Sequence, residues 1–305
     1  MKKIRLGTSN VEVGEISLGC MRMGELPAKD ADRVLRNAVN LGVDLFDHAD
    51  IYGAGKAEEV FGDVLRNTPS LREKIRIQTK CAIREGFFDF SREHILGSVD
   101  ASLKRLRTDY LDLLLLHRPD ALMEPGEVAE AFTSLKESGK VRHFGISNHH
   151  PLQIELLKKD LREDLIVNQL QFSIVHTPML DAGLNVNMGN DPAIVRDGGV
   201  LEYCRLHDIT IQAWSPFQYG MIEGVFIGNE RFPAVNAKLS ELARAKGVSE
   251  SAVAIAWILR HPAGMQPIVG TMRPKRLEEI TQASGVELTR REWYDLYRAG
   301  GRTLP

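Results

Sequence analysis

The stretch GVDLFDHADIYG, residues 42–53, changes character within a few residues. Its first half, VDLF, is apolar and typical of a buried strand. Asp47, Asp50 and the phenol of Tyr52 follow at once. A strand that ends in ionisable groups indicates a polar site at its carboxyl end, and the question is whether other strands end in the same way.

Short apolar runs and longer amphipathic stretches alternate on both sides of this segment. The predicted strands are EISLGC (15–20), VDLFD (43–47), KIRIQTK (74–80), LDLLLLH (111–117), VRHFGIS (141–147), IVNQLQ (166–171), ITIQAW (209–214) and QPIVG (266–270). The predicted helices cover residues 30–42, 55–67, 91–106, 126–138, 151–160, about 193–207, 235–247, 249–261 and 273–283.

The number and character of these strands decide the fold class. Nearly continuous apolar strands separated by helices indicate parallel pairing with both sheet faces covered. Eight such units fit a closed (β/α)8 TIM barrel better than an open sheet. We expect the first residues to form a small hairpin that closes one end. Stretches 172–192 and 215–233 are too long for plain connections, so we predict long functional loops there. No linker divides the chain, and we predict one domain over residues 1–305.

Composition narrows the function classes. The formal net charge is −2, from 39 basic and 41 acidic residues, and no long basic run occurs, which disfavours nucleic acid and anionic membranes as partners. Three scattered cysteines without a C-x-x-C pair argue against a disulfide framework or a zinc site. The start has no apolar signal segment, and no 18-residue apolar run occurs, so we expect a cytoplasmic protein. Composition gives no indication of the oligomeric state.

Several predicted strands end in polar or aromatic groups. In a barrel, the carboxyl ends of the strands converge on one face, where active sites are built. Any one such residue alone is more often structural, because strands must end in polar residues somewhere. The set is less easily dismissed, and it comprises Asp47 with Tyr52, Lys80, His117, Ser147 with Asn148, Asn168 with Gln169, and Trp214 with Ser215.

These segments resemble a known family. The motifs GVDLFDHADIYG, TK (79–80), DYLDLLLLHRPD (109–120), GKVRHFGISN (139–148), NQLQ (168–171), AWSPF (213–217) and PIVGTMRPKRLEEI (267–280) are similar, in order and spacing, to those of the aldo-keto reductases. The match spans residues 4–282. It is most similar to the bacterial general aldo-keto oxidoreductases that carry DHADIYG and HRPD.

The resemblance implies a reaction. The family's four catalytic residues correspond to Asp47, Tyr52, Lys80 and His117. An aldehyde or ketone would be reduced by NADPH, with Tyr52 protonating the carbonyl oxygen and His117 orienting it. An ammonium about 4 Å from a phenol contributes roughly 4 kcal/mol at an effective dielectric constant near 20. We therefore expect Lys80, held by Asp47, to lower the pKa of Tyr52 by nearly three units.

The resemblance also implies how the cofactor is held. No G-x-G-x-x-G follows a strand, so a Rossmann site is not indicated. The implied contacts to the nicotinamide and ribose come from Gly19, Met21, Asp47, Ser147, Asn148, Gln169 and Trp214, whose ring would stack on the nicotinamide or simply belong to the core. The implied contacts to the phosphates and adenosine come from Ser215, Pro216, Phe217, Gly220, Gly270, Thr271, Arg276 and Glu279.

Charge at the adenosine end favours NADPH over NADH. Arg276 matches the family's phosphate-binding arginine, and a helix N-terminus follows Thr271. Two positions depart from the family pattern: Gly270 stands where a basic residue is frequent, and Ile280 where an asparagine is expected.

Other readings remain open. The chain could be a non-catalytic NADP(H)-binding barrel with a regulatory or redox-sensing role, or an isomerase or aldolase that uses Lys80 as a Schiff base. We predict no metal, because the adjacent His149 and His150 would splay apart on a loop. The expected partner is a small carbonyl compound of undetermined identity. Its pocket is predicted over loops 21–27, 84–90, 118–124, 172–192 and 217–233, with apolar side chains from Met21, Met23, Phe87, Phe88, Phe172 and Phe217.

Overall fold

The computed structural model describes residues 1–304, and its centre is a closed barrel of eight parallel strands. Neighbours in the barrel are also neighbours in chain order, and the last strand pairs with the first. The strands are β1 (Ser17–Gly19), β2 (Leu45–Asp47), β3 (Arg76–Cys81), β4 (Leu111–Leu116), β5 (Val141–Ser147), β6 (Leu165–Gln171), β7 (Thr210–Trp214) and β8 (Gln266–Val269). The predicted fold class is therefore confirmed.

Helices connect the strands and cover the outside of the barrel. They are α1 (Ala28–Asn40), α2 (Lys56–Asn67), α3 (Arg92–Leu106), α4 (Pro125–Glu137), α5 (Pro151–Lys158), α6 (Pro178–Leu184), α7 (Val200–Leu206), α8 (Pro233–Lys246), α9 (Glu250–Leu259), α10 (Pro274–Thr281) and α11 (Arg290–Ala299). Short 3-10 helices cover Met23–Glu25, Pro69–Lys74, Asp191–Ala193 and Gln282–Gly285. Within residues 1–304, no helix is both long and apolar enough to cross a membrane.

The two-residue period of a strand separates the barrel interior from the helical layer. On β2, Phe46 contacts the ring of Phe61 on α2, with 5.4 Å between ring centroids. Its neighbours Leu45 and Asp47 therefore point to the opposite side, into the barrel, and both are buried. The interior accordingly receives an apolar side chain first and a carboxylate one step nearer the carboxyl end.

A hairpin closes the amino end of the barrel, as predicted. Its strands are Lys3–Arg5 and Glu12–Gly14, and they pair antiparallel. Apolar side chains of the hairpin and of the lower barrel form one small buried cluster: Leu6, Val11, Val13, Leu45, Leu113, Leu115, Ile166 and Val167. This apolar layer lies between the hairpin and the polar groups nearer the carboxyl end of the barrel.

Some predicted boundaries were wrong. The segment 172–192 is not a structureless loop, because α6 lies within it. The helix predicted over 193–207 is limited to Val200–Leu206, since two glycines with positive φ, at 198 and 199, precede it. Helix α11 was not predicted; its Trp293 stacks on Trp257 of α9 with 4.9 Å between ring centroids. Two further short hairpins, 83–88 and 218–225, lie in the loops that follow β3 and β7.

Candidate active site

The carboxyl face brings Asp47, Tyr52, Lys80 and His117 together. The Lys80 ammonium donates hydrogen bonds to Asp47 Oδ2 at 2.8 Å, to the backbone oxygen of His48 at 2.8 Å and to Tyr52 Oη at 3.1 Å. The rings of Tyr52 and His117 meet edge to face with 6.0 Å between centroids. Residues from three adjacent strand ends thus converge on one point.

Local structure fixes the phenol in this position. Tyr52 lies in the turn between β2 and α2, where its backbone N–H donates to Ala49 and its carbonyl accepts from Gly55. Gly53 and Gly55 have positive φ, a conformation that costs glycine little. The turn therefore folds Tyr52 back over the end of the neighbouring strand, within reach of Lys80.

Lys80 is fully buried, and all its donors are used. Burial alone would lower the pKa of its ammonium, but the charge of Asp47 and the contacts with Tyr52 more than offset burial and raise the pKa above the usual value. Lys80 is consequently a fixed positive charge and not a neutral amine.

The environment of Tyr52 corrects one expectation. Burial raises the pKa of this phenol above its ordinary value, and the Lys80 ammonium offsets only part of that effect. Coulomb attraction by the ammonium alone would lower the pKa of the phenol, but a buried position also imposes the desolvation of the phenolate. Tyr52 therefore keeps its proton at neutral pH.

His117 is neutral for similar reasons. Burial, with Lys80 and Arg118 nearby, lowers its pKa to about 2. Its Nδ1 is buried without a hydrogen-bond partner within residues 1–304. A neutral imidazole carries one N–H, so His117 can offer a single donor to a group beside Tyr52.

A cavity of about 1070 Å³ opens above these residues. Most predicted site residues line it: Gly19, Met21, Asp47, Tyr52, His117, Ser147, Asn148, Gln169, Trp214, Ser215, Pro216, Phe217, Gly270, Thr271 and Arg276. Lys80 lies behind Tyr52, and neither Gly220 nor Glu279 belongs to the lining. Gly220 instead shapes the loop after β7, where its carbonyl accepts from Gln171 Nε2 at 2.6 Å.

Hydrogen bonds connect the residues on one side of the cavity. Ser147 Oγ donates to the backbone oxygen of Gln169, and Asn148 Nδ2 donates to Ser147 Oγ at 2.8 Å. The indole N–H of Trp214 donates to Asn148 Oδ1 at 3.1 Å. Asn148 and Ser215 both have positive φ directly after a strand, a conformation that is uncommon for non-glycine residues and is concentrated at functional sites. The indole of Trp214 is held by this network beside the polar groups.

Basic groups surround the far end of the cavity. Arg276 lies over the ring of Phe217, with 5.8 Å from Cζ to the centroid. Thr271 Oγ1 accepts from the backbone N–H of Arg273 just before α10. The side chain of Arg22, which the sequence argument did not single out, donates to the carbonyl of Gly270 across the groove. Positive charge and a helix N-terminus together favour an anion here.

The predicted substrate pocket was partly wrong. Phe172 is fully buried against Trp257, and Met23 is also buried, so neither faces the cavity. Phe87 and Phe88 are exposed on the hairpin 83–88, outside the lining. Met21 and Phe217 line the cavity as predicted. The other aliphatic side chains of the lining are Leu26, Ile51, Ile83, Met221, Ile222, Val225, Ile268 and Met272.

Besides Arg22, three polar residues near the site were not predicted. Gln78 and Gln212 lie inside the barrel beside Asp47, and Arg118 lines the cavity next to His117. The signal for the glutamines was present, since each interrupts an apolar strand two or three positions before its end. The signal for Arg118 was its position directly after His117.

The neighbouring residues His149 and His150 lie in different environments. His149 is buried, and its Nδ1 lies 2.9 Å from the Ser147 carbonyl, whereas His150 caps α5 at the surface. Across residues 1–304, no group of three His, Cys, Asp or Glu side chains is arranged to hold a metal.

Comparison with known proteins relates this geometry to a family. The model described as "Aldo/keto reductase family" matches residues 15–299. The chain is 36% identical to the uncharacterized oxidoreductase YcsN of Bacillus subtilis (strain 168), with 98% of each protein covered. It is 34% identical to the oxidoreductase YdhF of Escherichia coli (strain K12), covering 98% of this chain and 97% of that protein. It is also 34% identical to a 6-dehydroglucose reductase of Agrobacterium fabrum, with 97% of each covered.

Solved structures show the same architecture. The thermostable aldo-keto reductase Tm1743, in complex with the inhibitor epalrestat, superposes with a TM-score of 0.78 at 25% identity, covering 98% of this chain and 100% of that one. An aldo/keto reductase from Klebsiella pneumoniae in complex with NADP and acetate gives 0.76 at 24% identity, covering 97% and 94%. With the family match extending over nearly the whole chain, this protein belongs to the aldo/keto reductase family.

Proposed function

We propose that this protein is an NADPH-dependent reductase of aldehydes or ketones, with Tyr52 as the proton donor. The observation that carries the proposal is the 3.1 Å hydrogen bond from a fully buried ammonium, Lys80 Nζ, to Tyr52 Oη at the wall of a large cavity. The family match and the oxidoreductase relatives support the reaction class. The resemblance to the DHADIYG and HRPD subgroup stays a prediction.

The cavity fits a nicotinamide dinucleotide. Ser147, Asn148, Gln169 and the ring of Trp214 would hold the nicotinamide, while Arg22, Arg276 and the start of α10 would hold the phosphates. The Klebsiella pneumoniae structure contains NADP, and this likeness of fold is compatible with the same choice here. When bound, the cofactor would supply the hydride.

The residues of this chain would then donate the proton and stabilise the developing negative charge. As the carbonyl oxygen becomes negative, Tyr52 donates its proton to it, and His117 donates a hydrogen bond to the same oxygen. The Lys80 charge stabilises the phenolate that forms. Asp47 keeps Lys80 charged and in place, and since Tyr52 is protonated at neutral pH, the acid is ready before the substrate arrives.

Two alternatives predict different results. A Schiff-base enzyme needs a neutral amine, but Asp47 and Tyr52 raise the pKa of Lys80, which disfavours it. A covalent adduct on Lys80 after treatment with borohydride and a carbonyl compound would favour that alternative. A non-catalytic NADP(H)-binding barrel would bind NADPH but would not oxidise it with any carbonyl compound.

The test is NADPH binding by fluorescence, followed by NADPH oxidation with a panel of aldehydes and ketones. We expect Tyr52→Phe, which keeps the ring, to bind NADPH within about threefold of the wild type and to lose on the order of 100-fold or more in turnover. Equal turnover in the two proteins would exclude Tyr52 as the proton donor.

The preference for NADPH is tested separately. We expect Arg276→Ala to weaken NADPH binding by about tenfold or more and NADH binding by less than about threefold, since only NADPH carries the 2′-phosphate. Lys275→Ala, on the same helix but outside the cavity lining, is the matched control. Equal losses for both cofactors in Arg276→Ala would count against the assignment.

A further inference from the structure

Glu58 is a buried carboxylate on α2, outside the barrel and behind the proposed proton donor. Thr79 Oγ1 donates to its Oε1 at 2.6 Å, and Arg105 Nε donates to its Oε2 at 2.7 Å. The carboxylate therefore joins α2 to both β3 and α3. Glu58 does not line the cavity, and the proposed reaction gives it no part.

The cost of burying a charge indicates what this contact contributes. A carboxylate without water must be paired and hydrogen-bonded, and a buried ion pair rarely stabilises a fold more than well-packed apolar side chains would. Hydrogen bonds to a charged group are, however, short and strong. We therefore expect the contact of Glu58 to fix the relative positions of the three elements more than it adds to the stability of the protein.

On the β3 side, the contact lies directly beside Lys80. Successive side chains of a strand point to opposite faces, so Thr79 faces α2 while Lys80 points into the barrel toward Asp47. One planar peptide unit joins Thr79 to Lys80. A displacement of Thr79 relative to α2 would therefore also displace Lys80.

On the α2 side, the contact lies beside the turn that carries Tyr52. The carbonyl of Tyr52 accepts from the backbone N–H groups of Gly55 and Ala57, where α2 begins. The side chain of Arg105 packs against the same turn, since a Cβ added to Gly55 would lie 2.8 Å from Arg105 Cδ. The position of Tyr52 thus depends on the first turn of α2, and Glu58 belongs to that turn.

We propose that Glu58 is a positioning residue that holds Tyr52 against Lys80 from outside the barrel. Its hydrogen bond with Thr79 sets the distance between β3 and the start of α2, and its ion pair with Arg105 keeps the carboxylate in place. The 3.1 Å hydrogen bond from Lys80 Nζ to Tyr52 Oη depends on that distance. This inference rests on the proposed function, because the contact matters for catalysis only if Tyr52 is the proton donor.

The first experiment measures this contact without a substrate. A difluorotyrosine placed at position 52 is titrated by fluorine NMR, because its low intrinsic pKa brings the titration into the pH range of the folded protein. Glu58→Gln keeps the shape of the side chain but has one acceptor atom for the two donors, Thr79 and Arg105. If the Lys80 ammonium lies about 1 Å further away in this variant, the pKa at position 52 rises by about one unit.

The sign of the shift separates positioning from a direct effect of charge. Removal of the negative charge of Glu58, with no movement, would lower the pKa of the phenol at position 52. A rise in Glu58→Gln therefore supports the proposal, whereas a lowered or unchanged pKa would overturn it.

Thr79→Val tests the same link without a change of charge, and it serves also if Glu58→Gln does not fold. Valine has the shape of threonine but donates no hydrogen bond, and the ion pair between Glu58 and Arg105 remains. We expect the pKa at position 52 to rise in this variant as well, by about half a unit or more. A pKa equal to that of the wild type would contradict the proposed link through β3.

Asp112→Asn is the matched control. Asp112 is also a buried carboxylate that joins β3 to an arginine, since it accepts from the backbone N–H of Ile77 at 2.9 Å and lies 2.8 Å from Arg72. These contacts lie near the amino ends of β3 and β4, away from position 52. We expect the control to lower Tm and to leave the pKa at position 52 unchanged. A rise equal to that in Glu58→Gln would show that any loss of stability has this effect, and the proposal would fail.

Kinetics separate this inference from the proposed function. With NADPH and the aldehyde that the wild type reduces fastest, we expect Glu58→Gln to lower kcat by about 10- to 100-fold, as a displacement of about 1 Å implies. KM and the affinity for NADPH should stay within about threefold of the wild type, because the cavity lining is unchanged. Full turnover in Tyr52→Phe would refute the proposed function whatever the titration shows. If Tyr52→Phe is inactive while Glu58→Gln equals the wild type in kcat, only the positioning role is refuted.

Discussion

At the residue scale, burial decides the behaviour of the ionisable groups more than neighbouring charge does. Coulomb attraction from Lys80 predicts a lowered pKa for Tyr52, yet burial raises it. The pKa of His117 falls to about 2 for the same reason, since charging a buried imidazole costs its hydration. The three groups that we propose as catalytic are thus a protonated phenol, a charged amine and a neutral imidazole across the neutral range.

Asp50 gives a prediction about stability and pH. Burial, with the charge of Glu58, raises its pKa from 3.8 to about 7, and its Oδ1 is buried without a partner within residues 1–304. A carboxyl group with a raised folded-state pKa destabilises the protein as pH rises, because the unfolded chain releases the proton first. We expect Asp50→Asn to stabilise the protein by roughly 2–4 kcal/mol at pH 8 and by almost nothing at pH 4.

The measurement is urea unfolding of wild type and variant at both pH values. Asp100→Asn is the matched control, since its carboxylate lies at the surface beside Lys140 and should give no gain that depends on pH. A stabilisation by Asp50→Asn that is equal at pH 4 and pH 8 would contradict the raised pKa.

Arg118 gives a prediction about substrates. It is half-buried in the cavity beside His117, burial alone lowers its pKa, and within residues 1–304 no carboxylate pairs with it. A guanidinium without a partner favours a ligand that brings a carboxylate or another anionic group. We expect kcat/KM of the wild type to be higher for 4-carboxybenzaldehyde than for benzaldehyde, and Arg118→Met to lower the former by about 10- to 100-fold.

Benzaldehyde is the internal control for this variant, because it has the same ring and carbonyl without the charge. Its kcat/KM should change by less than about threefold. Similar losses for both aldehydes would show that Arg118 does not recognise the anionic group.

At the element scale, the close crossing of α2 and α3 depends on one missing side chain. A Cβ added to Gly62 on α2 would lie 2.1 Å from the carbonyl oxygen of Arg105 on α3. The helices would have to separate, so we expect Gly62→Ala to destabilise the protein by roughly 3 kcal/mol although alanine favours helix. Thermal unfolding measures the effect.

Gly97 on α3 is the matched control for this substitution. A Cβ added there meets no atom within 4 Å, and the residue is exposed in the helix interior. We expect Gly97→Ala to stabilise the protein by about 0.5–1 kcal/mol. Opposite signs for the two substitutions would establish that packing, and not helix propensity, requires glycine at 62.

At the scale of the whole molecule, cofactor binding should stabilise the fold as a unit, because the cavity draws its lining from most of the strand ends. NADPH at 100 times its Kd adds about 2.7 kcal/mol to the free energy of unfolding, which corresponds to a rise in Tm of about 5 °C. We expect the same rise in Tyr52→Phe, which keeps the ring and the cavity. Unchanged melting of both proteins in NADPH would contradict the cofactor assignment.

Local pattern determined most of the architecture. Each barrel strand could be predicted because a strand covered on both faces must be apolar, and most helices could be predicted because one face must be apolar. A six-residue run such as LDLLLL at 111–116 strongly favours a buried strand over other structures. The start of α7 was wrong because the glycines at 198 and 199 set it without a periodic pattern, whereas α11 was missed although Trp293, Leu296 and Tyr297 follow helical spacing.

The sequence by itself determined that polar groups follow the strands of a (β/α)8 barrel, and which of them match a known family. Only the tertiary structure decided the protonation state of those groups and which of their atoms donate or accept hydrogen bonds. Burial sets the pKa of Tyr52, whose partner Lys80 lies on β3, and the amide of Gln169 on β6 donates to Asp47 on β2. Desolvation and hydrogen-bond direction are properties of a closed three-dimensional environment, and no stretch of sequence carries them alone.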